Sequence, residues 1–83
     1  MNPNAIESLK VIRDNALQAK KENDTTVWLV SVELPVNSSE ERDAVCKELE
    51  QNGCISDVEY QGKRYIGCTV HLEAVEKCLQ QES

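Results

Sequence analysis

Apolar residues recur along the first twenty positions at the spacing of a helical stripe. Ala5, Ile6, Leu9, Ile12, Ala16 and Leu17 fall on one side, while Glu7, Lys10, Asp14, Lys20 and Lys21 populate the other. Val11 sits on the polar side. Asn2-Pro3 supplies a capping side chain followed by proline at the first helical position, so the pattern predicts a helix over 3–22 that fades in Lys21-Glu22-Asn23-Asp24. The period then shortens to two. Thr25 through Leu34 is rich in β-branched and aromatic residues and is stopped by Pro35, which predicts a strand over 26–34. Trp28, Val30, Val32 and Leu34 share one face. Val27 and Leu29 make the first half of the other face apolar as well, so that end asks for cover on both sides, from the first helix or from a second subunit.

Ser38 and Glu41 have the spacing of a capping box, with acidic residues in the first turn, and open a second helix over 39–52. Its inner stripe is narrow: Val45, Cys46 and Leu49. Gly53 is free to take the left-handed conformation that ends it. Two short strands, 54–60 and 64–70, form a hairpin around Gln61-Gly62-Lys63. A three-residue loop would align Val58 with Ile66 and Ser56 with Cys68, whereas a two-residue Gly62-Lys63 turn would pair Tyr60 with Tyr65. Burial favours the first. A last helix over 72–80 carries Leu72, Val75, Cys78 and Leu79 on one face.

The elements read α-β-α-β-β-α. This predicts an α+β fold, one small domain over 1–83, with helices packed on a three-stranded, mainly antiparallel sheet. From residue 26 onward it is a split β-α-β-like unit lacking a fourth strand. The third strand would lie in the centre, leaving the outer edge of strand 26–34 open. That edge, together with a core short of apolar area, predicts a homodimer with Val27, Leu29, Ile6 and Leu9 at or near its interface.

Composition narrows the function classes. The chain is 40% hydrophobic and 29% charged, the balance of a folded protein, and no apolar run reaches the roughly 18–20 residues of a membrane span. The net charge is −6, which argues against nucleic-acid phosphate as a direct partner. That charge is local. Residues 1–25 and 61–83 are each balanced, while 26–60 hold eight acids against Arg42 and Lys47. Glu40, Glu41, Asp43, Glu48 and Glu50 of the second helix are therefore the candidate partner-binding residues, aimed at a basic surface on a protein target.

Cys46, Cys54, Cys68 and Cys78 are separated by 8, 14 and 10 residues, with no close zinc knuckle among them. No signal peptide opens the chain, so the expected compartment is the reducing cytoplasm and the expected role of these residues is that of small core hydrophobes. Cys68, His71 and Glu73 are the sole candidates for a nucleophilic trio, and strand geometry aligns them poorly. Asp57 and Glu59 are a carboxylate pair on a solvent face. Gly53, Gly62 and Gly67 are isolated and form no phosphate loop. The expectation is thus no enzyme, no cofactor and no metal. It is a small acidic interaction protein, regulatory or inhibitory, of the size and charge of a phage-type inhibitor, an immunity protein or an antitoxin. The alternatives are a metal- or redox-linked module using the four cysteines, and a small-ligand regulatory domain or enzyme subunit.

Overall fold

The computed structural model describes residues 2–22 and 27–82, with the side chains of Val27, Trp28 and Glu82 outside that description. The expected fading of the first helix at Asn23-Asp24, the strand start at residue 26 and the placement of Trp28 on a face lie outside it as well.

Asn2 caps the first helix by accepting the Asn4 N–H at 2.9 Å, and α1 runs Pro3–Lys20. β1 follows at Val27–Glu33. Beyond it, the Val36 N–H bonds Leu34 O at 2.9 Å, turning the chain around Pro35 and tucking Val36 into the core. Ser38 Oγ accepts from the Glu41 N–H at 3.1 Å to open α2, Ser39–Gln51. This helix ends in a paired cap. The Cys54 N–H returns to Leu49 O and the Gly53 N–H to Glu50 O, both at 3.0 Å, with Gly53 at φ +74°. β2 is Ile55–Tyr60, β3 is Tyr65–His71, and α3 is Leu72–Glu82.

The sheet is antiparallel throughout, in the order β1-β3-β2. β3 is therefore the central strand. Val30 and Val32 of β1 and Ile66, Cys68 and Val70 of β3 point into a core closed by Ala5, Leu9, Ile12 and Ala16 of α1, Val45, Cys46 and Leu49 of α2, and Leu72 and Val75 of α3. Burying one such aliphatic side chain contributes about 1.5–3 kcal/mol. α1 lies between the other two helices and packs on β1, while α2 packs on β2. All three cover the same face of the sheet, giving a slab 17 Å thick along its shortest dimension. Among the described residues no helix covers the opposite face, where the Gln61 side chain lies against Gly67. Leu29 remains 82% exposed there, so α1 covers the Val30 side of β1 and not the Leu29 side.

In the hairpin the three-residue-loop register is not formed, and the two-residue-turn register holds only beyond a shift in the middle of β2. Tyr60 pairs with Ile66 and Glu59 with Gly67, but Ser56 pairs with Thr69 and Ile55 with Val70. A β-bulge at Asp57–Val58 makes the switch, with Asp57 at φ +52°. The reason is parity. Ile55 and Val58 are three residues apart, so an uninterrupted strand would send one of them to water. The extra residue lets both turn toward the helices.

A candidate acidic interaction surface

α2 packs on β2, and β2 is an edge strand, so the two most acidic elements are neighbours at one edge of the sheet. Glu40, Glu41, Asp43, Glu48 and Glu50 come from the helix, and Asp57 and Glu59 from the strand. Arg42 and Lys47 are the basic residues of these two elements. The opposite edge, β1, carries Glu33 alone.

The five predicted helix residues divide by what they already hold. Glu41 is committed to the fold: its Oε1 accepts from Asn4 Nδ2 at 2.6 Å and its Oε2 from the Asn37 N–H at 3.2 Å. Glu48 accepts the Asn2 N–H at 3.1 Å, fastening the start of α1 to α2. Asp43 is bound by Arg42 through Nε at 2.9 Å and Nη2 at 2.8 Å. Glu40 and Glu50 are exposed, and neither makes a hydrogen bond or ion pair among the described residues. Of the five helix residues, those two are not engaged by another group of the chain among the described residues.

Arg42 is the residue that sequence reasoning missed. Its side chain is 12% exposed, its guanidinium sits 4.3 Å over the Tyr60 ring, and its Nη1 donates to Gly62 O in the hairpin turn. It thus ties α2 to the hairpin while cancelling one acidic charge. The bulge is what carries Tyr60 to the helix side, and the odd spacing of Ile55 and Val58 is the local sign of it that a strict two-residue alternation passes over.

Of the predicted interface residues, Leu29 is exposed, Ile6 is half-buried, and Val27 belongs to β1 by its backbone. Leu9 is wholly enclosed in the core of the single chain and has no surface to offer a second one.

The weak catalytic trio is not assembled. Cys68 is buried on the helix side of β3, whereas His71 stands on the opposite side, its Nε2 2.9 Å from Ser56 Oγ. That contact is a cross-strand hydrogen bond on that face. Among the described residues no cluster of three His, Cys, Asp or Glu side chains could hold a metal ion. No described helix is long and apolar enough to cross a membrane. An open groove lined by Arg13, Asp14, Leu17, Glu76, Leu79 and Gln80 runs between α1 and α3.

The four thiols form two sets. Cys46 and Cys68 are fully buried, and burial pushes their pKa values up to about 12 and about 11. Cys54 is also buried and is pushed up to about 12, first by burial and then by its hydrogen bond to Cys78. Buried thiols that resist ionisation are poor nucleophiles.

No known protein family, curated protein or solved structure matches the chain.

Proposed function

We propose that this chain is a small acidic interaction module, regulatory or inhibitory, that sets its α2–β2 margin against a basic surface of a protein target. The supporting observation is the segregation of charge: seven carboxylates against two bases on adjacent elements, in a molecule whose net charge is −6. A one-sided field steers association with an oppositely charged surface and disfavours wrong partners. Glu40 and Glu50 are the contact residues, because Glu41, Glu48 and Asp43 are held within the chain.

The test begins with proteins recovered from the native host on the wild-type chain and identified by mass spectrometry. Association of the purified target is then measured for wild type and for Glu40→Lys/Glu50→Lys at low and high salt. The reversal should slow association by roughly 3–10-fold at low salt and flatten the salt dependence, with little loss of folding stability. Equal rates for both proteins would remove the acidic margin from the reading.

Self-association through β1 belongs to the same proposal. The Leu34 N–H donates to Arg64 O at 2.8 Å, and antiparallel alternation then turns the main-chain groups of Leu29, Ser31 and Glu33 away from β3. A second copy pairing there gives a six-stranded sheet. The two β2 edges would then stand five strand spacings apart, about 24 Å, well beyond the Debye length of about 8 Å. Joining at β1 therefore keeps the acidic margins apart and free. Light scattering at tens of micromolar should give twice the mass of one chain, and Leu29→Lys should return it to one; a wild-type monomer sinks this part of the proposal.

A further inference from the structure

Cys54 and Cys78 lie 24 positions apart in the chain, yet their sulfurs stand 3.4 Å apart. The first belongs to the junction between α2 and β2, the second to the penultimate turn of α3. Cys54 is held from both sides: its N–H bonds Leu49 O at 3.0 Å, and its carbonyl accepts the His71 N–H at 2.9 Å. Its sulfur is enclosed, whereas Cys78 is half-buried and so is the member of the pair that a solute reaches first.

We propose that Cys54 and Cys78 are a modification site, a dithiol that converts to an intramolecular disulfide by exchange with a small disulfide of the glutathione class. The S–S bond is about 2.05 Å long, so the sulfurs need to close by roughly 1.4 Å. The Cys78 thiolate attacks the small disulfide, forming a mixed disulfide and releasing one thiolate. Cys54 then gives up its proton to water and attacks the Cys78 sulfur, releasing the second thiolate. Two protein thiols are oxidised to one disulfide, and the small disulfide is reduced to two thiols. Burial of Cys54 makes the second step the slow one, since the thiolate is the attacking form. Cys46 and Cys68 stay reduced because neither is exposed to the first attack. The product pins α3 to the α2–β2 junction and closes a loop of roughly 25 residues.

Trypsin distributes the four cysteines over four different peptides, 43–47, 48–63, 65–77 and 78–83, so the pairing can be read directly. Reduced native protein is incubated with oxidised glutathione, quenched in acid, alkylated and digested. Expected are a loss of about 2 Da, a linked pair of peptides 48–63 and 78–83, and a melting temperature higher by on the order of 10 °C, all reversed by dithiothreitol. Cys78→Ser, at a half-buried position, should fold and show none of the three. Retention of four alkylatable thiols, a glutathione adduct on Cys78 that never resolves, another pairing or a disulfide-linked dimer would each overturn the proposal. None of these outcomes depends on the acidic margin, so the two readings stand or fall separately.

Discussion

Arg42 shows how a charged side chain on an acidic helix can serve the fold instead of a partner. It combines a two-point contact to Asp43, a hydrogen bond to the Gly62 carbonyl and a stacked contact on Tyr60. A desolvated cation–π contact and a charged hydrogen bond are each worth about 1–2 kcal/mol. Arg42→Ala should therefore lower unfolding stability by about 2 kcal/mol in urea titration, and Arg42→Lys should recover only part of it, because an ammonium lacks the planar fork. Ser8 is the converse case. It is fully buried on the inner side of α1, and its hydroxyl makes no hydrogen bond among the described residues. Ser8→Ala removes an unsatisfied polar group and improves helix propensity, so the variant should be as stable as wild type or about 1 kcal/mol more stable. A clear loss of stability would show that the hydroxyl has a partner.

Among the elements, β2 carries the least regular backbone, and the irregularity has a defined purpose. Without the bulge, Ile55 and Val58 could not both face the helices, and Tyr60 would not meet Arg42. The bulge sets Asp57 at φ +52°, which aspartate tolerates better than a branched residue does. Asp57→Val should cost about 1–2 kcal/mol and Asp57→Gly should be neutral or slightly stabilising, although both remove the same exposed charge. Equal effects of the two substitutions would assign the change to charge and not to backbone. Among the described residues the helix and strand boundaries follow periodicity closely, because capping and turn residues mark them chemically: Asn2, Pro35, Ser38 and Gly53. The register was not read correctly, because uninterrupted alternation was assumed where the three-residue spacing of Ile55 and Val58 calls for an extra residue.

The complete fold holds three fully buried thiols, Cys46, Cys54 and Cys68, each raised above its ordinary value of 9.0. An acid whose folded pKa is raised keeps its proton in the native state after the unfolded chain has lost it. The stability these thiols contribute is therefore intact below about pH 9 and declines as pH rises toward 11–12. The slope approaches about 1.4 kcal/mol per pH unit per thiol. Urea unfolding of the reduced protein at pH 8, 9 and 10 should show this decline. Replacing Cys68 by Ala lowers stability overall but should make the pH dependence shallower by one thiol's share; an unchanged slope would mean that Cys68 is not protected in the native state.

Element order and the local excess of negative charge are properties of neighbouring residues and are legible in the chain, and the split β-α-β order then implies the central place of β3. Helical and strand periods depend on contacts within a few positions, and charge is additive. The stacking of Arg42 on Tyr60, the enclosure of Leu9 and the 3.4 Å approach of Cys54 to Cys78 are different in kind. Each joins residues far apart in sequence whose distance is set by how three helices share one sheet face. Packing of that sort is a condition on all the side chains at once, so no local pattern contains it.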